Sequence, residues 1–182
     1  CGLELFSGSG DRTIRQWDWR AGKHTRTLAG HRATVLALAV GADGRLFSGS
    51  ADKAIRVWSM RDGGCLATLQ GHTNLVRTLA VGGPTLLASG SEDRSIRLWA
   101  QHDFAPLHTI ALTEMPTRLT FGGDGRLFCI AADERLRVWA RPLDPADVAI
   151  EIHTGESDGC ALALAPDGTL YTEVAHGDIG VW

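Results

Sequence analysis

Residues 46–58 read LFSGSADKAIRVW, and four similar stretches occur along the chain. They are LFSGSGDRTIRQW (5–17), LASGSEDRSIRLW (87–99), LFCIAADERLRVW (127–139) and LYTEVAHGDIGVW (170–182). The tryptophans that close the five stretches are 41, 41, 40 and 43 residues apart. This period is longer than that of tetratricopeptide, ankyrin or leucine-rich repeats, and it matches units built of four β-strands.

Each period contains the signals of four strands. In the second unit they are Val35–Val40, Leu46–Ser50, Ala54–Trp58 and Cys65–Leu69, with turns between them that contain glycine or aspartate. No stretch has the periodicity of a long amphipathic helix, which excludes architectures of alternating strands and helices. The sequence therefore predicts an all-β fold, a β-propeller of four-stranded antiparallel blades.

The strand that ends in Trp alternates aliphatic residues with arginine, as in Ile55-Arg56 and Ile96-Arg97. Because successive side chains of a strand point to opposite faces, this pattern predicts alternating burial and exposure. We expect the arginines to lie on a solvated surface or between blades.

These residues resemble the WD-repeat propeller family. The marks of that family are a Gly-His before the first strand, an Asp in the turn before the third strand, and a Trp at its end. Gly30-His31 and Gly71-His72 stand at the expected places, and Trp17-Asp18 is a surviving Trp-Asp pair. The resemblance covers nearly the whole chain.

The resemblance implies a structural hydrogen-bonded tetrad of His, Ser or Thr, Asp and Trp in each blade. Burying an indole N–H and a carboxylate is costly unless each has a partner, and the tetrad supplies the partners. A catalytic use of its His, Ser and Asp is not expected, because the set recurs in successive blades. The two complete sets are His31, Ser48, Asp52 and Trp58, and His72, Ser89, Asp93 and Trp99.

The tetrad pattern decays in the other units. The fourth has Leu112 and Cys129 in place of His and Ser, beside Asp133 and Trp139. The fifth has Gly155 and His176 in place of His and Asp, beside Thr172 and Trp182, and the first offers Ser7, Asp11 and Trp17. We expect the degenerate blades to keep the fold with a looser polar network.

Strand counting predicts an incomplete, open ring. Because propellers of the family it resembles usually have seven blades, the resemblance implies that the ring is part of a seven-bladed propeller in a longer protein. The first unit lacks its first strand and the last unit lacks its last strand, so the ends cannot complete one blade together. The expected divisions of this single propeller segment are a partial blade (1–29), two full blades (30–70 and 71–111), a degenerate blade (112–153) and a partial degenerate blade (154–182).

Composition limits the partners. A formal charge of −3 provides no field that would attract nucleic acid or an anionic membrane, and no apolar run has the length of a membrane span. The four cysteines form no CxxC pair and the remaining histidines are scattered, so we expect no metal site. We also expect no cofactor and no small-molecule substrate, and an intracellular protein of the cytoplasm or nucleus.

The resemblance also implies where partners bind. Propellers of this family use the narrow top face, through the residue after the first-strand Val and the residue before the turn Asp. The first set is Leu36, Arg77, Thr117 and Cys160, and the second is Gly10, Ala51, Glu92, Ala132 and Ala175. Thr34, Leu75, Met115 and Asp158, two residues before the first set, point the same way.

Three classes of function are open at this point. The favoured one is a non-catalytic scaffold that presents the top face to a peptide or a domain of another protein. The alternative is the substrate-receptor or adaptor propeller of a ubiquitin ligase complex. An enzyme is not expected, because the chain has no Gly-rich phosphate loop, no HExxH and no Gly-x-Ser-x-Gly motif.

Overall fold

We describe the fold from a computed structural model. It describes residues 4–147, 149–153, 162–164, 170–174 and 178–181. All regular elements in these ranges are β-strands. Within them, no helix is long and apolar enough to cross a membrane.

In the described parts of the chain, eighteen strands form five antiparallel sheets, and each strand pairs with its neighbour in sequence. The first sheet has three strands, β1 (Glu4–Gly8), β2 (Thr13–Asp18) and β3 (Lys23–Ala29). The second has four, β4 (Val35–Val40), β5 (Arg45–Ser50), β6 (Ile55–Ser59) and β7 (Cys65–Leu69). The third has β8 (Val76–Gly82), β9 (Leu86–Ser91), β10 (Ser95–Ala100) and β11 (Pro106–Ala111).

The fourth sheet has β12 (Pro116–Phe121), β13 (Leu127–Ala131), β14 (Arg135–Trp139) and β15 (Ile150–His153). The fifth has three strands, β16 (Leu162–Leu164), β17 (Leu170–Val174) and β18 (Asp178–Val181). The three complete sheets lie inside residues 30–70, 71–111 and 112–153, and the sheets are propeller blades in an arc that does not close. We number the blades 1 to 5 in chain order.

The core lies between successive blades. Trp58 and Leu46 project from one face of blade 2 and pack on Ile14 and Leu28 of blade 1. From the other face, Phe47 and Val57 pack on Trp99 and Leu87 of blade 3. The same arrangement joins blade 3 to blade 4 through Leu98, Leu127 and Trp139. Blades 2 and 3 are therefore apolar on both faces.

This stacking corrects the expected alternation of burial and exposure in the Trp strands. Val57 and Trp58 are adjacent, point to opposite faces, and are both buried. The arginines lie between blades, with Arg56 and Arg97 half-buried and Arg137 only 4% exposed. The alternation holds for Ile55-Arg56 and Ile96-Arg97, where the isoleucine is buried and the arginine is more exposed, and it fails at the Trp end of the strand, where residues on both faces pack against neighbouring blades.

Two glycines set the spacing of the blades. A Cβ on Gly49 would lie 2.6 Å from Val76 Cγ1 of the next blade, and a Cβ on Gly90 would lie 2.8 Å from Pro116 Cγ. Only a residue without a side chain allows the first strand of the next blade to approach this closely.

The turn before each Trp strand has one conformation throughout blades 1–4. The residue after the turn Asp has a positive φ each time, 73° at Arg12, 72° at Lys53, 62° at Arg94 and 59° at Glu134. Such angles are uncommon for residues other than glycine. Their recurrence means that the four side chains leave equivalent turns in equivalent directions.

Candidate functional site

In blade 2, the four predicted tetrad residues form one hydrogen-bonded chain. Trp58 Nε1 donates to Ser48 Oγ (2.8 Å), Ser48 Oγ lies 2.7 Å from His31 Nε2, and His31 Nδ1 lies 2.9 Å from Asp52 Oδ2. A carboxylate only accepts, so Nδ1 carries the proton and Nε2 accepts from the Ser48 hydroxyl. Asp52 also accepts from the backbone amides of Arg32 and Ala54.

Blade 3 repeats this chain. Trp99 Nε1 donates to Ser89 Oγ (2.8 Å), which lies 2.8 Å from His72 Nε2, and His72 Nδ1 lies 2.8 Å from Asp93 Oδ2. The Ser95 hydroxyl adds a donor to Asp93 at 2.6 Å. This series of hydrogen bonds connects the loop before the first strand to the turn before the third strand.

Burial favours the neutral form of these histidines. It lowers the pKa of His31 and of His72, against the opposing influence of Asp52 and Asp93. Burial also acts to raise the pKa of Asp52, but hydrogen bonds from the Arg32 amide and from His31 hold it below its ordinary value. Ser48 and Ser89 are fully buried, so neither hydroxyl is exposed to a substrate in the manner of a nucleophile.

Blade 4 replaces the histidine tetrad by ion pairs. Arg137 donates to both oxygens of Asp133, at 3.0 and 2.6 Å, and its Nε donates to Glu151 Oε1 at 2.7 Å. Arg135 Nη1 donates to the other oxygen of Glu151 at 3.0 Å. The expectation of a looser network is therefore wrong for this blade. The sequence did not predict that Arg137, on the Trp strand, donates to the Asp133 carboxylate, which has no histidine partner in this blade.

Blade 1 keeps part of the tetrad. Trp17 Nε1 donates to Ser7 Oγ at 2.9 Å. Asp11 accepts from Thr13 and from Arg15 Nη2, and the Thr13 hydroxyl is the main cause that lowers the pKa of Asp11.

β-Bulges place three of the predicted partner-binding residues at the top face. The pairing of β4 with β5 shifts between Val35 and Ala37, so Leu36 is the bulged residue. Arg77 and Thr117 are bulged in the same way at the starts of β8 and β12. A bulged side chain is turned away from the regular face of its sheet. Leu36 is 38% exposed, Arg77 is exposed and Thr117 is half-buried, with its hydroxyl bonded to the Ile130 carbonyl.

The remaining top-face residues lie beside these bulges. Three backbone hydrogen bonds, each from the residue before a turn Asp, join Ala51 to Thr34, Glu92 to Leu75 and Ala132 to Met115, at 2.9, 3.0 and 2.9 Å. Thr34, Leu75 and Met115 are half-buried, and Gly10 and Ala132 are exposed. We use "top face" for the end of blades 1–4 that carries the starts of the first strands and the turns before the Trp strands.

One ion pair lies on the top face among the predicted residues. Arg77 Nη2 is 2.5 Å from Glu92 Oε1, and Arg77 Nε donates to the same oxygen at 2.6 Å. The Glu92 carboxylate is therefore paired with an arginine of its own blade.

Several predicted positions of blade 5 lie outside the described residues. They are Gly155, Asp158, Cys160, Ala175, His176 and Trp182. Thr172 lies in β17.

The structure adds a set of top-face residues that the sequence reading did not select. Arg12, Lys53 and Arg94 occupy the positive-φ position of the turns in blades 1, 2 and 3, and all three are exposed. The signal was present as Asp-Arg, Asp-Lys and Asp-Arg at intervals of 41 residues.

Comparison with known proteins agrees with this architecture. The sequence pattern of the family described as WD domain, G-beta repeat, matches residues 1–18, 22–59 and 63–100. A solved structure described as "Structure of U3-55K" superposes with a TM-score of 0.87 at 23% identity, over 98% of this chain and 57% of that chain. The chain thus spans somewhat more than half of that protein, and the likeness shows the propeller fold. No curated protein matches the sequence significantly.

Proposed function

Because the chain belongs to the WD-repeat family, we propose that it is a non-catalytic scaffold that binds a peptide or domain of another protein on its top face. WD-repeat propellers in general act as protein-interaction scaffolds. The observation that carries the proposal is the row of bulged residues Leu36, Arg77 and Thr117, one at the same place in each of three successive blades.

The chemistry of the row suits a protein partner. Leu36 and Leu75 offer apolar contact, and both lie beside polar turns that can fix the orientation of a bound segment. Such a mixture of a few apolar anchors with a polar rim is typical of protein interfaces. The ordered sheets hold the row in place before a partner arrives, which reduces the entropy lost on binding.

A phosphopeptide reader is disfavoured on blades 1–4. Recognition of a phosphate requires several arginines directed at one point. Among the predicted binding residues of these blades, Arg77 is the arginine, and it is paired with Glu92 at 2.5 Å. An incoming phosphate would have to displace that carboxylate. A ubiquitin ligase adaptor that reads an unmodified target would use the same top-face contacts as any other scaffold of this kind.

The proposal is tested by affinity capture and mass spectrometry with the wild-type protein and with the triple variant Leu36→Ser, Leu75→Ser, Arg77→Ala. We expect a defined set of proteins that the wild type captures and the variant does not. A control with Leu66→Ser and Leu107→Ser removes two exposed leucines from the bulged positions of β7 and β11, at the opposite end of the blades. An identical set of proteins for all three forms would contradict the proposal.

A further inference from the structure

The turns before the Trp strands and the starts of the first strands form one continuous row across blades 1–4. The Val35 amide donates to the Ser9 carbonyl in the turn of blade 1 (3.1 Å), and the Ala51 amide donates to the Thr34 carbonyl (2.9 Å). The Val76 carbonyl lies against Gly49 at the corresponding place between blades 2 and 3. Along the row, the turn before a Trp strand therefore alternates with the start of a first strand.

The turns of blades 1–3 each contribute one cation to this row. Arg12, Lys53 and Arg94 are exposed. Among the described residues, their side chains take part in no hydrogen bond or ion pair, and only their backbone groups do. All three have a positive φ, of 73°, 72° and 62°, so the three cationic side chains start from equivalent places in the turns of successive blades.

The neighbouring carboxylates are directed elsewhere. Asp52 and Asp93 face inward to His31 and His72, and Asp11 is held by Thr13 and Arg15. Glu92 is paired with Arg77. The charges presented outward by these three turns are consequently positive, although the chain as a whole carries −3.

The pattern ends at blade 4. Glu134 occupies the turn position that Arg12, Lys53 and Arg94 occupy in the other blades, and Glu114 lies next to Met115 in the preceding loop. The row thus has a basic part over blades 1–3 and an acidic end. Between the cations lie Leu36 and Leu75, and Met115 follows Arg94.

We propose that the basic row binds an extended acidic segment of a partner protein, in which acidic residues pair with Arg12, Lys53 and Arg94 and intervening apolar side chains contact Leu36 and Leu75. This inference rests on the proposed function and specifies the partner class. The complementary charges would orient the segment and speed its encounter with the top face. Three cations on three separate turns match distributed carboxylates, whereas a single phosphate would need them directed at one point.

Asparagine at the three positions gives a variant that retains the fold. Asparagine is among the few residues that tolerate a positive φ, so Arg12→Asn, Lys53→Asn, Arg94→Asn removes the charges without straining the turns. A matched control removes three exposed cations from the opposite end of the blades, Arg20→Asn, Lys23→Asn and Arg61→Asn. Equal melting temperatures of the wild type and both variants establish that the fold is retained.

The probes are a short synthetic peptide in which leucines are separated by pairs of glutamates, the same peptide with glutamine for glutamate, and a single-stranded RNA of similar length. We expect the glutamate peptide to bind the wild type and the control variant equally, and the row variant at least about tenfold more weakly at low salt. The glutamine peptide should bind all three weakly.

Three results would overturn the inference. The first is a row variant that binds the glutamate peptide as tightly as the wild type does. If the variant Leu36→Ser with Leu75→Ser nevertheless failed to bind this peptide, the proposed top-face scaffold would stand and only the acidic partner would be wrong. The second is no binding of the glutamate peptide by the wild type. The third is RNA that binds as tightly as the peptide and loses affinity in the row variant, which would show a general attraction for polyanions.

Discussion

The Arg137 guanidinium donates one hydrogen bond to each oxygen of the Asp133 carboxylate, at 3.0 and 2.6 Å. The hydrogen bond to Asp133 is the main cause that raises the pKa of Arg137, and the Arg137 side chain is 5% exposed. Asp133 and Glu151 are 23% and 43% exposed, so the carboxylates that Arg137→Met leaves behind stay in contact with water. The loss of the charged hydrogen bonds should therefore destabilise the protein by about 2 kcal/mol, measured by urea unfolding.

The matched control for this change is Arg15→Met, at the equivalent position of blade 1. Arg15 pairs with Asp11 at 2.7 Å, but both side chains are more than 40% exposed. Exposed ion pairs contribute little to stability. Equal losses for Arg15→Met and Arg137→Met would show that the blade 4 network has no special role.

Blade 3 offers a test of the same network by addition. Arg97 lies opposite Thr109 on the neighbouring strand, just as Arg137 lies opposite Glu151. The buried Nε of Arg97 has no hydrogen-bond partner among the described residues. Thr109→Glu should supply that partner and raise the melting temperature on the order of 2 °C. Thr109→Gln is the uncharged control. If Thr109→Glu lowered the melting temperature and Thr109→Gln did not, the ion pair of blade 4 could not be reproduced in blade 3 and the prediction would be wrong.

The tetrads should stabilise the blades through their internal hydrogen bonds. Trp58→Phe removes the donor to Ser48, and His31→Ala removes the acceptor of the Ser48 hydroxyl and one of the donors to Asp52, so each should cost about 1–3 kcal/mol. Trp17→Phe in blade 1, whose hydrogen bond to Ser7 is only partly buried, should cost less. Thermal unfolding measures all three. Unchanged stability in both Trp58→Phe and His31→Ala would refute the role of the tetrad.

The same histidines predict how stability depends on pH. Burial lowers the pKa of His31 and His72 below the ordinary value of 6.5. Just below that pH the unfolded chain binds protons that the folded chain does not, so stability should be constant above about pH 7 and should fall as the pH decreases through 6.5. The lowered pKa values of Asp52 and Asp93 add a further loss in strong acid.

Melting temperatures measured between about pH 8 and 5 test this dependence. A variant with His31→Asn and His72→Asn should lose most of the slope near pH 6.5, whereas His24→Gln and His102→Gln, at exposed positions, should retain it. The prediction fails if the slope is unaffected by the first variant.

The repeat allowed the fold to be predicted because its signals are local and occur several times. Trp58 and Trp99, the turn aspartates and the glycine turns mark the same strand ends in each unit. The ion pairs of blade 4 could not be predicted, because Asp133 lies in a turn, Arg137 on β14 and Glu151 on β15, and each residue taken alone has ordinary surface character. Likewise, Arg12, Lys53 and Arg94 become a row only when the backbone angles of the turns and the stacking of the blades are known.

Blade spacing should depend on the glycine of the second strand. A methyl group on Gly49 would lie 2.6 Å from Val76 Cγ1 and 3.2 Å from the Val76 carbonyl oxygen, so one blade would have to move away from the other. Overpacking of this kind costs about 1–3 kcal/mol, and Gly49→Ala should lower stability by that amount in urea unfolding. Gly10→Ala is the control, because a Cβ there meets no atom within 4 Å. A Gly49→Ala protein as stable as Gly10→Ala would mean that the contact between Gly49 and Val76 yields without cost, and that the glycine is not what sets the distance between blades 2 and 3.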